Sequence, residues 1–123
     1  MEENLVESIE LTNGLTLEIY DMSRNIAEDT CLVCIIFKID ITINEKIFNN
    51  NVDSSDYNSI KAKLGENIIY EVKHERNFIK QDLKEVIFKE VKESFLNTNL
   101  KYLSNNNFAE KYILKKYVNR SRY

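Results

Sequence analysis

Between Cys31 and Ile43 every odd-numbered residue is apolar: Cys31, Val33, Ile35, Phe37, Ile39, Ile41 and Ile43. Strict alternation of this kind places all of them on one face of an extended strand. The even-numbered residues divide into an apolar half, Leu32, Cys34 and Ile36, and a polar half, Lys38, Asp40 and Thr42. The first half therefore reads as covered on both faces and the second half on one, as suits a central strand. A chain built around such a strand must supply neighbours for it and a layer to cover its apolar face.

The neighbours are visible upstream. Leu5, Glu7, Ile9 and Leu11 alternate with Val6, Ser8, Glu10 and Thr12, and Leu15, Leu17 and Ile19 alternate with Thr16, Glu18 and Tyr20. Thr12-Asn13-Gly14 separates the two runs and predicts a hairpin, since Asn and Gly tolerate positive φ. Side-chain parity selects the turn. A two-residue Asn13-Gly14 loop would pair Glu10 with Leu17, whereas a three-residue loop pairs Leu11 with Leu15 and Ile9 with Leu17. The three-residue turn with Gly14 left-handed is expected, because a one-residue slip would turn the apolar face to water.

Residues 44 to 58 form a polar loop by composition, with Asn49-Asn50-Asn51 and Asp53-Ser54-Ser55-Asp56. A short helix over 56–64 follows, capped by Ser54 or Ser55 and stopped by Gly65. A fourth strand is predicted over 67–76, with Ile68, Tyr70, Val72 and His74 on one side. From Phe78 the period becomes helical, with Ile79, Leu83, Val86, Ile87, Val91 and Phe95 on one stripe opposite Lys84, Glu85, Lys89, Lys92 and Glu93. Asn97 to Leu103 reads as a broken turn and Ser104 to Asn107 as an interruption. Asn107 with Glu110 forms a capping box for a last helix, Phe108 to about Asn119. Strands first and helices last predict an α+β fold: an antiparallel sheet of about four strands with C-terminal helices packed on one face. The length, 123 residues, fits a single domain spanning 1–123.

Composition narrows the class. An apolar fraction of 43% excludes disorder, and two cysteines exclude a disulfide scaffold. The abundance of Asn, Ile and Lys follows the bias of AT-rich codons. The acidic start, Met1-Glu2-Glu3-Asn4, lacks the basic and apolar regions of a signal peptide. The segment from Cys31 to Ile43, broken by Lys38 and Asp40, is too short to span a bilayer. These features predict a cytoplasmic protein with no membrane association, whose thiols stay reduced. Cys31 and Cys34 have CxxC spacing, but on a strand residues i and i+3 project to opposite faces. With no second ligand pair nearby, the redox and zinc readings fail and no metal is expected.

Charge is distributed unevenly. Residues 1–60 carry twelve Asp+Glu against three Lys+Arg, and residues 61–123 carry eight against fourteen, so a formal −3 conceals halves of −9 and +6. The end of the chain holds Lys111, Lys115, Lys116, Arg120 and Arg122 with no acid from residue 111 onward, interleaved with Tyr112, Tyr117 and Tyr123. Cations hold phosphates and rings stack on unpaired bases, which makes this helix a candidate nucleic-acid or partner surface. The same charges also complement a helix C-terminus, and residues 111–123 are prone to fray. A weaker candidate is a pocket near Arg24, His74 and Arg76, in which His74 at a strand end would act as acid or base. In this reading Asp21-Met22-Ser23-Arg24-Asn25 is a tight turn organised by Asx-type bonds, with Arg24 beside Asp21.

Two glycines cannot make a phosphate-binding loop, and no HExxH or GxSxG is present. The sequence thus points to a non-enzymatic interaction or regulatory domain that uses no cofactor. Its partner is expected to be another protein or a second copy. A nucleic-acid-associated module is the alternative, and a small-molecule or hydrolytic pocket near His74 the weaker one.

Overall fold

A computed structural model of the chain describes residues 4–44, 48 and 54–121, excepting the side chains at 54, 55, 120 and 121. The fold is α+β. Strands β1 (Asn4–Glu10), β2 (Thr16–Asp21), β3 (Arg24–Ala27), β4 (Thr30–Thr42) and β5 (Asn67–Lys80) make one antiparallel sheet. Helix α1 (Ser54–Leu64) lies between β4 and β5, and α2 (Lys84–Leu103) and α3 (Phe108–Ser121) follow the sheet. No described helix is long and apolar enough to cross a membrane.

The hairpin forms in the register that parity demands. Ile9 pairs with Leu17, Leu11 N–H donates to Leu15 C=O at 2.8 Å, and Gly14 N–H donates to Leu11 C=O at 3.0 Å. Gly14 has φ of +89°, with nothing near its absent Cβ, so the turn requires glycine for conformation and not for space. Asn13 does more than turn the chain. Its Oδ1 accepts Leu15 N–H at 3.1 Å, and its Nδ2 donates to Leu103 C=O at 2.8 Å and Asn105 C=O at 2.9 Å. The hairpin tip thereby bonds the Leu103 carbonyl at the end of α2 and shares the Asn105 carbonyl with Phe108 N–H of α3.

β4 is the central strand. On one side it pairs with β2 and β3, on the other with β5 along almost its whole length. The residues from Asp21 to Asn25, expected as a turn, instead continue the sheet. Asp21 lies opposite Ile35 and Arg24 opposite Leu32, so the register runs unbroken through Met22 and Ser23. Turn chemistry is still present inside this run. Asp21 Oδ1 accepts Ser23 N–H at 2.9 Å, and Ser23 Oγ accepts Cys34 N–H at 3.0 Å in place of a strand carbonyl. That substitution divides one long strand into two pieces.

The odd-numbered side chains of β4 form the core with Leu17 and Ile19 of β2, Val91, Phe95 and Leu103 of α2, and Phe108 and Ile113 of α3. Phe37 is fully buried and stacks on Phe95 at 3.7 Å between ring centroids. Phe48, in the segment that composition marks as a polar loop, is buried and meets Tyr57 of α1 edge-to-face at 6.1 Å. Asn49-Asn50-Asn51 and Asp53 lie outside the described residues, as do the Ser54 and Ser55 side chains proposed as caps. Gly65, at φ +88°, ends α1, and its N–H donates to Lys61 C=O at 2.9 Å.

Three boundaries differ from the sequence expectation. β5 runs four residues beyond Arg76, because Ile79 and Lys80 still pair with Cys31 and Thr30 past a bulge. Phe78 sits in that bulge at φ +57° and is 81% exposed. The helix then begins at Lys84, after a 3-10 turn (Gln81–Leu83) anchored by Gln81 N–H on Asp29 C=O at 3.0 Å. Leu83 and Val86, expected on the buried stripe, are exposed, since the stripe was extrapolated through residues that belong to the strand. α2 runs unbroken to Leu103, with no break at Asn97. At the junction between α2 and α3, Asn105 Oδ1 accepts Asn107 N–H at 2.8 Å, the donor that the expected capping box assigns to Glu110.

Candidate functional site

The even-numbered side chains of β4 face away from the helices. Leu32, Cys34 and Ile36 are buried yet stand outside the helix-side core. Register aligns Arg24, Met22 and Tyr20 of β3 and β2 beside them on one flank, and Lys73 and Glu75 of β5 on the other. Met22, Arg24, Leu32, Cys34, Ile36, Lys73 and Glu75 line a shallow concavity of about 270 Å³. Both halves of the sequence expectation for β4 are thus accounted for, but the apolar half of this face is shielded by side chains of adjacent strands and not by a described helix. Burial and the nearby Glu75 carboxylate hold the Cys34 thiol above its ordinary pKa, with Lys73 pulling the other way. A thiol so held stays protonated and unreactive at neutral pH. Cys31 lies in the core on the opposite face, both cysteines are free, and no metal-binding group occurs among the described residues.

The rim carries both signs of charge. Lys38 pairs with Glu71 at 3.5 Å and sits 5.1 Å from the centre of the Tyr20 ring. Lys73 pairs with Glu75 at 3.3 Å across one strand residue.

The pocket suggested by Arg24, His74 and Arg76 is not assembled. Arg24 lies across the sheet from His74, because Leu32 and Ile35, their partners on β4, project to opposite faces. His74 is in the interior of β5 and not at its end. It is half-buried beside the stacked pair of Phe37 and Phe95, edge-on to both rings with centroids 6.0 and 5.7 Å away. Arg76 donates to Glu75 C=O at 3.0 Å, and Glu75 itself pairs with Lys73 on the other face. Glu75, the carboxylate next to His74 in sequence, is thus turned to the opposite face and does not form an acid–base pair with it.

The C-terminal basic residues lie on the helix layer. Lys111, Lys115 and Lys116 of α3 are exposed, while Tyr112 and Tyr117 are half-buried. Tyr112 packs against Phe108 and Tyr70, with centroids 5.9 and 5.4 Å away, and its hydroxyl reaches Ile69 C=O at 3.5 Å. Burial, with Tyr102 and Tyr112 nearby, raises the pKa of Tyr70. Arg122 and Tyr123 lie outside the described residues, as does the Arg120 side chain. Sequence reading missed that α1 packs against α3 and brings Lys63 beside Tyr117, while Lys61, two residues earlier on the helix, lies near Tyr57 of α1 itself. Lys63 Nζ lies 5.7 Å from the Tyr117 ring centre, and Lys116 Nζ 5.4 Å from that of Tyr112. No local signal could have revealed this, because about fifty residues separate the two helices. No family model, curated protein or solved structure matches the chain.

Proposed function

We propose that the protein is a cytosolic interaction domain that works by self-association through the open face of its sheet. The observation that carries this reading is the row Leu32, Cys34 and Ile36, apolar and outside the helix-side core, on a face that no described helix covers. Its surroundings have the make-up of a protein interface. An apolar centre is flanked by Met22 and Arg24 in the concavity and by Tyr20 opposite Ile36, residue types enriched where proteins meet, and by a mixed-charge rim. The partner is a second copy, because the rim complements itself. Arg24 stands on the β3 flank and Glu71 and Glu75 on the β5 flank, so a two-fold axis along the strands sets Arg24 of each copy against the carboxylates of the other.

Sedimentation velocity of the full chain tests this. The expected result is a reversible, concentration-dependent dimer that Met22→Glu abolishes while the circular dichroism spectrum stays native. Val118→Glu, on the exposed side of α3, leaves the dimer intact. A wild-type chain that remains monomeric at every concentration would falsify the proposal, as would a Met22→Glu variant that dimerises normally.

A further inference from the structure

We infer that the α1–α3 face binds single-stranded nucleic acid, with lysines from both helices on its phosphates and an unpaired base in the adjoining depression at the edge of β5. The lysines lie on the helix layer, while Asn67 and Ile69, opposite Thr42 and Asp40, project from the polar half of the open sheet face, away from the row Leu32, Cys34 and Ile36 on which self-association rests.

The first support is charge. α1 and α3 together contain Lys61, Lys63, Lys111, Lys115, Lys116 and Arg120 against two acids, Asp56 and Glu110. Glu110 is buried, so it adds little to the outward field. Two helices that pack together thus carry an excess of cations that the total charge of −3 hides.

The second support is the depression itself. It has a volume of about 300 Å³ and is lined by Leu64, Asn67, Ile68, Ile69 and Lys116. Ile69 is 53% exposed and offers an apolar wall. Asn67 donates from Nδ2 to Asp40 at 2.8 Å, which fixes the amide and turns its oxygen away from that carboxylate. An apolar wall, an oriented amide acceptor and an ammonium group side by side suit a base with its own phosphate. A duplex keeps its bases stacked inside and could use only the lysines, so the depression favours a single strand. The acidic face of another protein would likewise use the charge and leave the depression empty.

Fluorescence anisotropy of the full chain with a short fluorescein-labelled oligothymidylate is the test. Binding is expected at low salt, with the logarithm of affinity falling by about 0.7 per phosphate contact for each unit of log salt. The quadruple variant Lys61→Gln, Lys63→Gln, Lys115→Gln, Lys116→Gln should lose at least about tenfold in affinity and flatten that slope. Ile69→Ser, which removes the apolar wall without changing the charge, should weaken the single strand and leave the weaker duplex binding nearly as it was. Native circular dichroism and an unchanged sedimentation profile verify that each variant is folded. Absence of binding at low salt overturns the inference, as does a quadruple variant that binds like wild type. A duplex that binds more tightly than the single strand, or equal competition by polyglutamate, overturns it too.

Discussion

Phe78 breaks a local rule without a packing gain. An aromatic residue at φ +57° sits where L-residues pay roughly 1 kcal/mol or more, and here the ring is 81% exposed. Phe78→Asn should therefore stabilise the fold by up to about 1 kcal/mol, read as a higher urea midpoint with an unchanged slope. Asn13 is the opposite case, a residue whose short side chain serves the turn and the end of α2 at once. Its turn role was legible in Asn13-Gly14. Its role at the helix end was not, because its acceptor Leu103 C=O is ninety residues away. His74 and Arg24 show the same limit. Each looked available for chemistry, and only the register revealed that they occupy opposite faces.

At the level of elements, period-two alternation was read correctly wherever one face is buried. β1, β2 and β4 and the Ile9–Leu17 register follow directly from it. The β5–α2 junction was misread because Ile79, Leu83, Val86 and Ile87 mimic a helical stripe, and the pairing of Ile79 with Cys31 outweighs that local pattern. Substitutions should separate the two readings energetically. Phe37→Ala removes a fully buried ring stacked on Phe95 and is expected to cost about 3–5 kcal/mol. Val86→Ala, at a position 53% exposed, should stay within about 0.5 kcal/mol. If the helical stripe had been real, Val86→Ala would cost several times that. Chemical denaturation of the two variants measures both.

For the molecule as a whole, the division into a −9 half and a +6 half was legible, and its spatial meaning was not. Lys61 and Lys63 open the basic half of the sequence far from α3, yet the helix that carries them packs against α3 in the fold. Stability of the whole should also respond to alkaline pH in a definite direction. Cys34 and Tyr70 both have pKa values raised above 9.0 and 10.0, chiefly by burial. The unfolded chain then releases these protons before the folded chain does, so stability is complete below about pH 9 and falls as pH rises. Urea unfolding at stepped alkaline pH should show this decline, and Cys34→Ala should remove its earlier part.

β5 is paired with β4 along one side, and an antiparallel strand turns alternate carbonyls away from its partner. Two carbonyls of this strand are taken by the protein's own side chains: Ile69 C=O by the Tyr112 hydroxyl, and Glu75 C=O by the Arg76 guanidinium. An incoming strand would have to displace both before it could extend the ladder. The longest strand of the sheet is thereby a poor template for cross-β growth.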